Sequence, residues 1–153
     1  MPHVEVELPV TAPPETAWPV VLDVLGYPAC MESVDSVELV EQADDTHRTT
    51  AWSVRLEGSV LRWVETEVID HAARRFDFEQ LTGDLGAFAG HWAVTPAPGG
   101  GSTVALHVDF DLGIPLLADM LNPVAADALR DSAAQMLGAL EQRMLAGAEG
   151  AAR

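Results

Sequence analysis

Lysine is absent from this chain of 153 residues, and all 8 of its basic residues are arginines, set against 24 acidic residues. The formal net charge is -16, and the arginines are scattered, so no basic stripe could follow a phosphate backbone. We therefore expect neither nucleic acid nor an anionic membrane surface as a partner. The lack of lysine also removes the side chain that forms Schiff bases with ketones, so carbonyl chemistry would have to proceed through enols.

Cysteine and long apolar runs are also scarce. Cys30 is the single cysteine, which excludes an internal disulfide. No apolar run approaches the roughly 18 residues of a membrane span, and the first residues lack the basic-then-apolar pattern of a secretion signal. These absences predict a soluble, cytoplasmic protein with no membrane insertion.

The histidines show no spacing typical of a metal site. His91 and His107 are each one residue out of phase with the apolar face of their predicted strands, and His47 and His71 lie near predicted turns. A metal site needs about three converging His, Cys or carboxylate ligands. The sequence therefore predicts no metal ion, and it contains no glycine-rich phosphate loop.

Hydrophobic residues make up 48% of the chain, so the abundant acids must crowd the surface around an apolar interior. At this length one domain is expected. We assign residues 1–146 to a single domain with a cavity for a hydrophobic ligand. Residues 147–153 are small and polar, and they are predicted to form a flexible tail.

The order of the predicted elements indicates an α+β domain. Residues 3–10 alternate as a half-buried strand does, and the prolines at 13 and 14 suit the first turn of a helix. A long amphipathic helix is predicted to begin at Asn122-Pro123. Six further strands are predicted between the helices, at residues 34–41, 47–57, 58–69, 75–81, 87–96 and 103–112. A curved antiparallel sheet of six to seven strands around the long helix would leave an apolar wedge that suits a small hydrophobic ligand.

Four stretches of the chain carry a family resemblance. They are APPETAWPVVLDVLGYP (12–28), EGSVLRWVETEVID (57–70), the segment from LTGDLG to DLGIP (81–115) and NPVAADALRDSAAQML (122–137). With these stretches in this order, the sequence resembles the START/Bet v 1-like superfamily, and within it the polyketide cyclase/dehydrase and coenzyme Q-binding-protein-like families. The resemblance implies a helix-grip fold with a deep internal cavity. It does not fix the chemistry, because the superfamily includes aromatase/cyclases, quinone- or lipid-binding proteins, hydrolases and resistance proteins.

The resemblance extends to some site residues and fails at others. Trp63 and Trp92 match cavity-facing tryptophans of the aromatase/cyclases, and Tyr27 and Met31 fall where wall residues occur. The serine and the arginine that those enzymes carry on the Trp63 strand are replaced by glutamates at positions 65 and 67, and their tyrosine after the first helix by Val34. A cyclase with this sequence cannot use that arginine–tyrosine pair.

Glu65 and Glu67 are the candidate catalytic residues. They lie two apart on a predicted strand, so both share the face of Leu61 and Trp63. If this face lines the cavity, desolvation and mutual repulsion would raise at least one carboxyl pKa, giving a base that removes a proton next to a ketone. In the alternative, the valines of the other face (60, 64 and 68) point inward and both glutamates are solvated. Periodicity does not decide, because each face carries three apolar residues.

We expect the ligand cavity to be lined by aromatic and apolar side chains, together with an arginine that could orient a carboxylate or an enolate or could instead pair with acids on the surface. The predicted substrate-binding residues are Tyr27, Met31, Arg55, Trp63, Phe88, Trp92, Leu106, Val108, Leu117, Met120, Val124 and Ala128.

The leading functional hypothesis is a cofactor-independent cyclase or aromatase that acts on a poly-carbonyl, polyketide-like chain, since aldol closure and dehydration move only protons. A non-catalytic protein that binds a quinone, lipid or aromatic product is the alternative, and a cavity without an inward titrating group would favour it. A structural module would be favoured if the protein's own tryptophans filled the wedge.

The predicted partner is a hydrophobic small molecule, and the sequence leaves the oligomeric state open. Polyketide synthase components are a further candidate. A surface at -16 repels acidic carrier proteins at long range, so their docking would need a local positive site such as Arg74-Arg75. Free intermediates are therefore preferred as ligands.

Overall fold

Seven strands form one antiparallel sheet in the computed structural model, which describes residues 2–56, 58–113 and 118–151, without the side chains of 118–122 and 148–151. The sheet order is β1-β7-β6-β5-β4-β3-β2. Consecutive strands from β2 to β7 are neighbours, and β1 forms one edge of the sheet, where it pairs with β7. The strands are β1 (His3–Val10), β2 (Val34–Asp44), β3 (His47–Leu56), β4 (Ser59–Asp70), β5 (Arg75–Gly83), β6 (Ala87–Pro96) and β7 (Ser102–Asp111).

Three helices accompany the sheet: α1 (Pro14–Leu22), α2 (Tyr27–Cys30) and α3 (Ala118–Ala151). Helix α3 packs its predicted apolar stripe against the sheet, with Ala133, Leu137, Leu140 and Met144 buried. A curved antiparallel sheet around a long C-terminal helix is the helix-grip fold, so the predicted fold class is confirmed.

The start of the long helix differs from the prediction. Helix α3 begins at Ala118, about one turn before Asn122-Pro123, and Pro123 lies inside it. Proline has a φ angle close to the helical value, so the helix can continue through Pro123, at the loss of one backbone hydrogen bond and with the ring against a carbonyl of the preceding turn. Asn122 is therefore not the residue that caps the helix. The segment that we predict as a flexible tail is helical as far as Ala151.

Tyr27 fixes the short helix α2 to the inner face of the sheet. Its side chain is fully buried, and its hydroxyl donates a hydrogen bond of 2.5 Å to the carbonyl oxygen of Val21. Its ring packs edge-on against Trp52 and Trp92, with 5.8 Å between ring centroids in each case. Aromatic contacts in this arrangement are favourable beyond the area they bury. Tyr27 thus supports two of the tryptophans that surround the cavity.

Gly90 allows β6 to pass closely under its neighbours. A Cβ atom at this position would lie 1.9 Å from the carbonyl oxygen of His107 and 2.9 Å from the ring of Phe78. Neither group can withdraw without moving a strand or the core. Gly138, in the middle of α3, has nothing within 4 Å of its Cβ position.

We expect Gly90→Ala to lower the free energy of unfolding by roughly 1–3 kcal/mol or more, because the methyl group overpacks the sheet. Gly138→Ala is the matched control, and it should raise the free energy of unfolding by about 0.5–1 kcal/mol through its effect on helix propensity. Urea denaturation of both variants measures the two changes. Equal stability of Gly90→Ala and the wild type would contradict the close approach of β6 to the carbonyl oxygen of His107.

Candidate active site

A row of polar side chains crosses β3 and β4 on the inner face of the sheet. The strands pair so that Arg48 lies opposite Glu67 and Thr50 opposite Glu65. Both glutamates are buried, with 3% of Glu65 and 1% of Glu67 exposed, whereas Val60 and Val68 of the other face are exposed. The glutamates therefore point inward, and the alternative orientation of β4 is wrong.

Glu67 is held by partners on both of its oxygens. The Nε of Arg48 donates to Oε1, and the hydroxyl of Thr50 donates to Oε2 at 3.0 Å. Thr50 in turn accepts a hydrogen bond of 2.8 Å from the indole nitrogen of Trp52. Arg48 also lies over the Phe76 ring, 5.3 Å from its centroid. The pair of Arg48 and Glu67 is thus a buried ion pair with a fixed geometry.

Glu65 lies beside this ion pair and faces the cavity. The indole nitrogen of Trp63 donates a hydrogen bond of 2.7 Å to its Oε1. Burial raises the pKa of Glu65 well above its ordinary value, and the hydrogen bond and negative charge of Glu67 raise it further. Trp63 and Arg48 oppose this increase without cancelling it. Glu65 consequently keeps its proton over a wider pH range than an exposed glutamate does.

The cavity lies between the sheet and helix α3 and is small. Its volume is about 70 Å³. Aromatic rings fill much of the wedge: Trp52 and Trp63 stack at 5.7 Å, and Phe88 packs 4.9 Å from Trp63. The wall consists of Val4, Trp52, Val54, Trp63, Glu65, Phe78, Phe88, Trp92, Leu106, Val108, Leu129, Ser132, Ala133 and Met136. Since ligand pockets typically measure about 300–1,000 Å³, a drug-sized ligand has to displace side chains.

The structure brings six of the fourteen predicted site residues into the cavity wall. These are Glu65, Trp63, Phe88, Trp92, Leu106 and Val108. Glu67, Tyr27 and Ala128 are buried, but they lie outside the wall. Met31 is also buried, and it borders a separate cleft with Cys30 at the other side of Met136.

The structure places two of the predicted ligand contacts at the surface, away from the cavity. Arg55 alternates with the inward-facing Val54, so its side chain reaches the surface, where it forms an ion pair of 2.9 Å with Asp35 and contacts the carbonyl of Glu32. Val124 is 65% exposed, because its position on α3 points away from the sheet. Leu117 and the side chain of Met120 lie outside the described residues.

Sequence reasoning missed Arg48 and Thr50, which complete the polar row. The signal was present, since both residues are in phase with Trp52 on an alternating strand. It also missed most of the helical wall. Leu129, Ala133 and Met136 belong to the apolar stripe of α3, but the stripe alone does not show which turns of the helix face the cavity.

These features define a helix-grip cavity domain of the START/Bet v 1 superfamily, here with a buried acid in a mostly apolar wall. Within it, the model of the family described as polyketide cyclase / dehydrase and lipid transport matches residues 1–145, so the chain belongs to that family. A search of curated proteins found no match.

Solved structures with this fold include proteins of several kinds. TTHA0849 from Thermus thermophilus is 28% identical with a TM-score of 0.88, over 95% of this chain and 99% of that one. The Zhui aromatase/cyclase from Streptomyces sp. R1128 is 23% identical with a TM-score of 0.80, over 94% and 93%. A START superfamily protein from Mycobacterium smegmatis is 17% identical with a TM-score of 0.76, over 93% and 96%. At these identities, the latter two likenesses show the fold alone.

No helix among the described residues is long and apolar enough to cross a membrane.

We expect Arg48→Met to lower the free energy of unfolding by about 3–5 kcal/mol near neutral pH, because it leaves the Glu67 charge buried without a partner. The double variant Arg48→Met/Glu67→Gln should recover most of this loss, since no buried charge remains. A double-mutant cycle from urea denaturation tests both statements. The ion pair would be unimportant for stability if Arg48→Met cost less than about 1 kcal/mol.

Glu65→Gln should change how stability depends on pH. The folded state holds the Glu65 proton more tightly than the unfolded state, so the stability that this group contributes is complete below its ordinary pKa of 4.5. It is lost as pH rises from there toward the raised pKa of the folded state, by up to about 1.4 kcal/mol per pH unit. Glutamine does not titrate, so the unfolding free energy of the wild type should fall relative to that of the variant over this range. A difference that is constant or rises with pH would contradict the raised pKa.

Proposed function

We propose that this protein binds a poly-carbonyl or aromatic polyketide intermediate in its cavity and promotes aldol cyclisation and dehydration, with Glu65 as the acid–base group. The observation that carries the proposal is a buried carboxyl with a raised pKa in the wall of an apolar cavity. Perturbed acids in such a setting are typical of catalytic sites. Membership of the polyketide cyclase / dehydrase and lipid transport family supports the same class of chemistry.

In the ring closure, the enol carbon of the folded chain attacks a carbonyl carbon. Protonated Glu65 gives its proton to the acceptor oxygen as the carbon–carbon bond forms, which yields a hydroxyl group. The enol hydroxyl releases its proton, through water, to the Glu65 carboxylate, and the donor carbonyl is restored. The step is an isomerisation in which every proton is accounted for.

In the dehydration, a proton next to the ketone is removed and the new hydroxyl leaves as water. Glu65 supplies the proton that converts the hydroxyl into water, and the proton lost from carbon returns to its carboxylate through a cavity water. The net change is the loss of one water and the formation of a conjugated double bond. No cofactor is needed, because no electrons leave the substrate.

The neighbours of Glu65 suit both of its protonation states. The negative charge of Glu67, which Arg48 keeps in place, favours the proton on Glu65 before it is transferred. The indole N–H of Trp63 favours the carboxylate that forms afterwards. Glu67 has both oxygens engaged and lies outside the cavity wall, so we assign it a positioning role.

A free intermediate remains the preferred ligand over one attached to a carrier protein. Arg75, part of the predicted positive docking site, is held by both oxygens of Asp77 at 2.8 and 2.9 Å. This pairing offsets the positive charge that an acidic carrier would need.

Non-catalytic binding of a hydrophobic molecule is the second candidate function. It is favoured by the composition of the wall, in which all residues except Glu65 and Ser132 are apolar or aromatic. Such a protein would hold a quinone, lipid or finished polyketide product without changing it. The inward orientation of Glu65 favours the catalytic alternative.

An aryl-substituted 1,5-diketone is a suitable probe, because its aldol closure and loss of water give a cyclohexenone that absorbs in the ultraviolet. We expect Glu65→Gln to lower kcat by roughly 10²–10⁴-fold with little change in KM, and Glu65→Asp to retain part of the activity. Glu79→Gln is the matched control, since it removes an exposed glutamate on the adjacent strand and should leave kcat unchanged.

The outcomes separate the candidates. Unchanged turnover in Glu65→Gln and in Glu67→Gln would refute the carboxyl mechanism. Tight binding of the diketone by quenching of tryptophan fluorescence, with no product above the uncatalysed rate, would favour the binding function. Failure to bind any apolar probe would favour a structural module whose wedge is filled by its own aromatic rings.

A further inference from the structure

Three potential metal ligands converge on the outer face of the sheet, where β1 pairs with β7. Glu5 lies directly opposite His107 in the register, and His3 lies opposite Asp109. One ligand atom from each of His3, Glu5 and His107 lies within 4.8 Å of the others. The inner face of the same strands carries buried residues such as Val4 and Val108, so the sheet separates this cluster from the cavity.

We infer that His3, Glu5 and His107 form a binding site for Zn²⁺ or a similar divalent transition metal. Two imidazoles and a carboxylate are a preferred ligand set of zinc, and a water molecule would complete the tetrahedron. The strongly acidic protein, at a net charge of -16, also attracts cations.

The distances fit a common metal better than they fit direct hydrogen bonds. The Nε2 of His3 lies 3.7 Å from one carboxylate oxygen of Glu5, and the Nε2 of His107 lies 3.6 Å from the other. Both separations are too long for hydrogen bonds. Ligands bound to tetrahedral zinc at about 2.0–2.2 Å are about 3.4 Å apart, so each nitrogen already lies near this spacing from one Glu5 oxygen. Side-chain rotation has to bring one atom of each residue, now within 4.8 Å of one another, to the same spacing.

A second layer of contacts already orients the two imidazoles. The Nδ1 of His3 lies 2.8 Å from a carboxylate oxygen of Asp109, which directs Nε2 toward Glu5. A carboxylate on the far nitrogen of a ligating histidine is the usual support of zinc sites. The ring of His107 stacks on that of His91, with 4.4 Å between centroids and 15° between planes. Asp109 and His91 are therefore positioning residues.

The metal would link β1 to its one neighbour in the sheet. The strand order places β1 at an edge, paired with β7 alone. A ligand that binds the folded state shifts unfolding to higher temperature. A bound ion should therefore raise Tm.

The test uses the full-length, tag-free protein after treatment with a chelator, and Zn²⁺ alone as the probe. Titration calorimetry should give one ion per chain, and zinc should raise Tm. Co²⁺ in place of zinc should give the visible absorption of a four-coordinate site. His3→Ala and His107→Ala should each weaken Zn²⁺ binding by more than tenfold, and Asp109→Asn by roughly tenfold.

His47→Ala is the matched control, because it removes one exposed imidazole from the β2–β3 turn without touching the cluster. It should bind Zn²⁺ like the wild type, as should Cys30→Ser. Circular dichroism of each variant confirms that it is folded. The inference is overturned if the wild type binds no stoichiometric Zn²⁺, or if His3→Ala and His107→Ala bind it as tightly as His47→Ala does.

Discussion

The pairing of β3 with β4 is the constraint on which the candidate site depends. It places Arg48 opposite Glu67 and Thr50 opposite Glu65, so that one acid is neutralised by an arginine and the other lies next to it without a cation of its own. A slip of one residue would turn both acids to solvent. The difference between the two glutamates is therefore a property of strand register as much as of sequence.

Most of the fold could be predicted, because alternation and turn residues are local signals. The predicted bounds of β1 and β6 match the structure, and the other strands differ at their ends by only a few residues. The start of α3 could not be predicted from Asn122-Pro123, since a proline near a helix start is compatible with the helix on either side of it.

The site was harder to predict than the fold, because it depends on contacts between distant segments. Both faces of β4 look equally apolar in sequence, and only pairing with the Trp52 face of β3 decides which one is buried. The predictions for Arg55 and Val124 had a different weakness. Each residue has a type and an element that suit a cavity wall, but its side chain points away from the cavity. The meeting of His3 with His107 requires the first strand of the chain to pair with the last, which no local pattern indicates.

Aromatic side chains of the protein occupy the space that a ligand would fill: Trp52 stacks on Trp63, and Phe88 packs against Trp63. Any incoming molecule must replace ring–ring contacts that the protein makes without it. Only the difference between the free energy of the new contacts and that of the lost ones contributes to affinity. Flat, conjugated molecules can restore such contacts, whereas flexible aliphatic chains cannot. A cavity occupied in this way discriminates against loosely fitting aliphatic chains before any polar group is involved. Release of a bound molecule would then depend on how quickly the rings return to each other.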